Sequence, residues 1–322
     1  MLRTHLCDLL GIELPIIQAG MGPFTSAELV AAASNAGGLG SLGASQRSAE
    51  DLKKQLARTR ELTGRPFAVN HLVPTLNEEA FALTLQARPA IISLALGDPG
   101  DLVKRAHDAG ILVMHQVHTA HQARQAAERG VDVIIAQGGE AGGFGGMVGA
   151  LALVPQVVSA VSPTPVVAAG GIADGRGLAA ALVLGAQGVN IGTRFLASVE
   201  APISEGWKQA ILAAESEDSV KVDVWNDIIP LPGTAGYGTA PRAIRTPFIE
   251  KWQRRRDDAK REAERLRGEV MMALQQGKMH ELVPLAGQTA GLIREILPVR
   301  EIVRRMVAEA EEALERVTKL LS

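Results

Sequence analysis

Residues 164–195 read TPVVAAGGIADGRGLAAALVLGAQGVNIGTRF. A short β-branched run ends in paired glycines, an alanine- and leucine-rich segment of helical length follows, and a second apolar run, GVNIGT, closes the unit. Strand, turn, helix, strand is the βαβ pattern. Runs that are apolar throughout, rather than alternating, are those of a parallel sheet covered on both faces. The pattern extends upstream through runs at 14–18, 38–43, 67–70, 90–96, 111–117 and 131–137, which with 164–170 and 188–193 make eight strands. Eight βα units predict an α/β fold of the (β/α)8 barrel type. An open doubly wound sheet is the competing architecture, because the runs at 38–43 and 188–193 are short and rich in glycine.

After the eighth run the character changes. Residues 200–284 combine an alanine-rich helix, a loop IIPLPGTAGYGTAPRAIRTPF and the charged stretch EKWQRRRDDAKREAERLRGEV, whose mixed signs suit a solvated helix face. The expected organisation is a barrel over 1–199, a mainly helical insertion or lid over 200–284, and a C-terminal segment over 285–322 returning to the barrel. In that last segment Val299, Ile302, Val303 and Met306 recur at helical spacing.

Composition narrows the function classes. The 33 lysines and arginines balance 35 acidic residues to a net charge of -2, so no basic field invites nucleic acid or a membrane surface. The single cysteine, Cys7, leaves no intramolecular disulfide and no multi-thiolate metal site, in keeping with a reducing compartment. No apolar run reaches the roughly 18–20 residues of a membrane span, and the expected location is cytoplasmic. No metal site is expected either: the spacing of His71, His115, His118 and His121 brings no carboxylate or thiolate partner, and a solvated or capping role is expected of His118 and His121.

In such a barrel the loops at the carboxyl ends of the strands build the active site, and a phosphate commonly sits after the last two strands. Gly171, Gly192 and Thr193 stand there, each before a segment whose N–H groups could receive phosphate oxygens. The other strand ends supply Gln18, Gly20 to Gly22, Asn70, His115, Gln116 and Gln137 to the same mouth. Amides and backbone outnumber charges, which suits a planar heterocycle read along its edge by hydrogen bonds. The stretch QGGEAGGFGG at 137–146 carries six glycines after the sixth strand, where a main chain could lie against a flavin-sized ring. Tyr237 and Arg242, between turn residues in the insertion, are candidates for a cap over the pocket.

The segments PIIQAGMG, AAASNAGGLGSLG, PFAVN, AQGGEAGGFGG, PVVAAGGIADGRGLAAALVLGAQGVNIGTRFL and AGQTAGLI together resemble the nitronate monooxygenase family, formerly called 2-nitropropane dioxygenases, whose relatives include flavin-dependent enoyl-acyl-carrier-protein reductases. The resemblance implies an FMN-dependent barrel oxidoreductase with Gly20, Met21, Gly22, Asn70, Gln116, Gly171, Gly192 and Thr193 at the FMN, the last three at its phosphate. It also exposes a departure. Family members carry histidine, in the pattern E-A-G-G-H, where this chain has Phe144, and phenylalanine exchanges no proton. Three accounts follow. In the first, an alkyl nitronate, already anionic, is oxidised by oxygen without a base and Phe144 shapes the pocket. In the second, an enone, quinone or enoyl thioester is reduced with NAD(P)H as electron source, and His115 or Glu140 handles protons. In the third, the chain binds flavin without turnover. All imply a small-molecule ligand and leave the oligomeric state open.

Overall fold

The computed structural model describes residues 2–231 and 239–320. Its strands in chain order are β1 (Ile16–Gln18), β2 (Leu39–Gly43), β3 (Phe67–Leu72), β4 (Ile91–Ala95), β5 (Leu112–Val117), β6 (Val133–Gln137), β7 (Gly143–Gly145), β8 (Val166–Ala169), β9 (Gly188–Ile191), β10 (Ser219–Lys221) and β11 (Ala240–Ile244). Eight of them, β1 to β6 with β8 and β9, form a closed parallel barrel, and β9 returns to β1 in the register Ile17 opposite Asn190. The (β/α)8 expectation holds, and closure eliminates the open sheet.

Two layers of apolar side chains explain why the strand runs do not alternate. Ile17, Leu39, Ala68, Ile91, Met114, Val133, Ile135 and Val167 point inward. The next residues along, such as Val113, Ile134 and Val189, face the helices outside. Leu6, Cys7 and Leu10, on the helix His5–Leu10, join the inner cluster. Leu6 lies against Gly188 at the start of β9, so this helix closes the amino end of the barrel.

Outer helices begin on side-chain caps of the expected kinds, with Ser26, Ser48, Asn77, Thr119 and Asp174 each accepting from a first-turn N–H. The weak strand signal at β2 has a packing cause. A Cβ on Gly40 would overlap the Val30 carbonyl, so glycine lets the helix Ala27–Asn35 press onto the strand. The C-terminal helix Val299–Thr318 packs on Gly175–Val183 with Val299, Ile302, Val303 and Met306 buried, as its spacing predicts.

One element was hidden in the sequence: β10 and β11, which follow β9, form a three-stranded antiparallel sheet with β7, with Phe144 opposite Pro241 and Arg242 opposite Gly143. The helices around it bury Trp207, Trp225, Trp252 and Leu266 together with Leu196 and Ala197 from the barrel. Charges of the 250–270 stretch pair on the exposed side, Arg255 with Asp258 and Arg265 with Glu262. Among the described residues no helix is long and apolar enough to cross a membrane.

Candidate functional site

A cavity of about 1320 Å³, counted out to its open mouth, occupies the carboxyl end of the barrel. Gly20, Met21, Gly22, Asn70, Gln116, Gly171, Gly192 and Thr193, drawn from five strand ends, all line it.

Its floor is polar and neutral. Asn70 donates from Nδ2 to the Ser93 hydroxyl at 3.2 Å, tying β3 to β4. Gln116 donates from Nε2 to Gln137 Oε1 at 3.1 Å, tying β5 to β6. Thr193 accepts from the Gly287 N–H at 2.9 Å, which leaves its own hydroxyl hydrogen to donate, and pins the 285–289 loop over the cavity. Gly170 and Gly171 adopt φ +83° and +74°, a left-handed conformation that turns the chain sharply beneath the mouth. A Cβ on Gly20 would collide with that of Asn70, so the β1 loop can lie flat only as glycine. The mouth is apolar: Met21, Phe24, Phe144, Leu196 and Leu285 surround it.

Neutral amides on the floor, glycine backbone at the β8 and β9 ends and an apolar rim fit a flavin mononucleotide, whose ring edge is polar, whose ring faces are apolar and whose phosphate needs backbone donors. One detail differs from expectation. Two first-turn N–H groups of Gly175–Val183 are already bonded, Gly177 N–H to Asp174 and Gly175 N–H to Glu309 at 2.9 Å. Those two N–H groups are not available to a phosphate, whereas the bends at Gly171 and at Gly192–Thr193 line the cavity.

The other expected residues are placed as follows. Phe144 lines the cavity. Glu140 does not: both its carboxylate oxygens accept from the Ala150 N–H, at 2.9 and 3.0 Å, capping the helix Ala150–Val161. Arg242 lies on the face of its sheet opposite Phe144, donating to the carbonyls of Gly139 and Ser219. Tyr237 lies outside the described residues. His115, the expected acid, stands between inward Met114 and Gln116 and so points outward, 2% exposed. Burial, with neighbouring His118, pushes its pKa down to about 4, so it is neutral at pH 7 and apart from the cavity. Gln18 spends its amide on the Ser41 backbone.

Two residues escaped the sequence reading. His118, expected to be solvated or capping, is 2% exposed and bonds through Nε2 to Gln137 Oε1 at 2.8 Å; His121 is exposed as expected. Lys221, opposite Arg242 on β10, donates to the Gly145 carbonyl at 2.9 Å, and burial with Arg242 nearby lowers its pKa to about 8. The cavity itself has no ionisable side chain among its described lining residues.

Known proteins place this geometry. The family model for nitronate monooxygenase matches residues 3–309. A Rhodococcus jostii (3aS,4S,5R,7aS)-5-hydroxy-7a-methyl-1-oxo-octahydro-1H-indene-4-carboxyl-CoA dehydrogenase is 32% identical, the alignment covering 99% of both chains. A probable nitronate monooxygenase of Staphylococcus aureus is 33% identical over 77% of this chain and 80% of its own. Among solved structures, FabK from Thermotoga maritima superposes with a TM-score of 0.90 at 35% identity, over 99% of this chain and 100% of that one. Nitroalkane oxidase from Streptomyces ansochromogenes gives 0.83 at 28%, over 98% and 100%. The chain belongs to the nitronate monooxygenase family and is a flavin-dependent oxidoreductase.

Proposed function

We propose that the chain binds FMN in this cavity and oxidises alkyl nitronates with oxygen. The observation that carries the reading is the absence of any ionisable side chain among the described lining residues, Phe144 included, where the family resemblance implies a histidine. A neutral nitroalkane or an acyl thioester must lose a proton from carbon before or while it is oxidised, which calls for a positioned base. A nitronate arrives already deprotonated. Bound FMN would supply the two-electron acceptor and the reactivity with oxygen. The bends at Gly171 and Gly192–Thr193 would hold its phosphate, and Asn70, Gln116 and Gln137 would read its ring edge. Phe144, Met21, Phe24, Leu196 and Leu285 would exclude water from the substrate's alkyl groups.

The test is oxygen uptake with propyl-2-nitronate in the absence of NAD(P)H. Uptake with nitronate and none with neutral 2-nitropropane is the expected result. Phe144→His is expected to raise turnover of neutral 2-nitropropane about tenfold or more, short of the roughly 10²–10⁴ of a fully placed base. A variant that gains nothing on the neutral substrate, while keeping its flavin, argues against the role given to this position.

A second reading is favoured by the full-length similarity to the carboxyl-CoA dehydrogenase: electron exchange between NAD(P)H and an enone or enoyl thioester. It requires a proton donor or acceptor at the cavity, and the described lining supplies only hydroxyls, amides and backbone.

A further inference from the structure

The hydrogen bonding of one buried histidine determines what two cavity amides offer a ligand. Gln137 Oε1 receives two hydrogen bonds, from His118 Nε2 at 2.8 Å and from Gln116 Nε2 at 3.1 Å. An amide oxygen has two lone pairs, so its capacity is filled. Gln116 and Gln137 both line the cavity, whereas His118 does not. With the Gln137 oxygen turned to His118, its NH2 is the group left for the cavity. With the Gln116 NH2 turned to Gln137, its carbonyl oxygen is left.

We infer that His118 is a positioning residue that fixes this donor–acceptor pair, Gln137 donating and Gln116 accepting, and thereby selects a ring edge carrying C=O beside N–H. Resting on the FMN reading, this assigns the pair to the amide-like edge of the flavin's pyrimidine ring. Were His118 an acceptor at Nε2, Gln137 and then Gln116 would both turn over and the cavity would show the opposite pattern. Only the neutral or protonated imidazole with hydrogen on Nε2 gives the observed one.

The surroundings hold the imidazole in place. The His118 backbone N–H donates to Gln122 Oε1 at 2.8 Å. Gly146 passes so close that a Cβ there would stand 2.7 Å from His118 Cβ, so glycine lets the β7 loop seal the ring from solvent. Burial and the charge of Lys221 disfavour the imidazolium, with the Gln137 bond opposing them, and the pKa falls to about 4. Across the physiological range the pattern is therefore constant.

The test is a double-mutant cycle on the affinity of the apoprotein for FMN, read by flavin fluorescence, with the visible spectrum of the bound flavin as second readout. His118→Leu is expected to weaken FMN about tenfold and shift the spectrum. His118→Gln, whose Nε2 amide also donates, is expected to restore the affinity to within about threefold and the spectrum with it. In the background of Gln137→Ala, His118→Leu is expected to cost nothing further. Should His118→Leu fail to fold, His118→Asn, one carbon too short to reach, takes its place in the cycle. Additive losses, or a His118→Gln protein as weak as His118→Leu, overturn the inference while leaving the cofactor reading intact. Wild-type apoprotein that takes up no FMN overturns both.

Discussion

Gly192→Asp is expected to purify as a folded, colourless protein. Its backbone stands at φ -102°, which any residue adopts. A Cβ there would meet Met21 Sδ at 3.3 Å, a flexible side chain that can yield. The added carboxylate would project into the cavity between Gly171 and Thr193, where the phosphate is proposed to sit. Two like charges about 4 Å apart at an effective dielectric of about 20 repel by about 4 kcal/mol, or about three decades of affinity. Flavin absorbance per mole of protein checks this, with Gly192→Asn as the control that keeps the size of the side chain and omits the charge. Full loading of Gly192→Asp would move the phosphate elsewhere. Gly20→Ala is expected to lose flavin by another route, since its Cβ displaces Asn70.

Acid is expected to destabilise the protein from about pH 6.5 downward, before its ordinary carboxylates begin to protonate. Burial holds His71, His115 and His118 neutral, each pushed down to about 4 from the ordinary 6.5. The unfolded chain binds protons at these positions as pH falls below 6.5, and the folded chain does so only near 4. Stability is therefore fully present above 6.5 and is lost progressively down to about 4. Each histidine accounts for roughly 3 kcal/mol of that loss, against a typical total of about 5–15 kcal/mol. Urea midpoints measured from pH 7 to pH 4 should fall steeply across this window. His71→Leu, which replaces a ring packed on Phe81 and bonded to Thr84, should flatten the slope by about a third. A midpoint unchanged between pH 6.5 and 4.5 would contradict the account.

The barrel was legible because a parallel sheet sheathed in helices needs apolar residues on both faces, and no other element demands uninterrupted runs at such regular spacing. That the FMN candidates would line one cavity was legible for a related reason, since strand ends of a closed barrel converge on one mouth. Errors arose where contacts are distant or strands too short to carry a pattern. GFG at 143–145 has no strand signature of its own and is a strand only because β11, about a hundred residues later, pairs with it. Glu140 caps a helix ten residues downstream, and Glu309 caps one 134 residues upstream. His115 is different, because the signal was present. Gln116 and His115 are adjacent in one strand and cannot both face the barrel interior. The parity of Met114 with Gln116 decides which one does.

The flavin-dependent chemistry proposed here turns on a substrate that supplies its own carbanion to a cavity without a base. The most direct test is anaerobic mixing of the yellow protein with propyl-2-nitronate, NADH or NADPH in separate reactions, following the flavin band in a stopped-flow spectrophotometer. Rapid bleaching by nitronate, with the band unchanged by either nicotinamide and by neutral 2-nitropropane, is the predicted result. Rapid bleaching by NADH or NADPH and none by nitronate would contradict it.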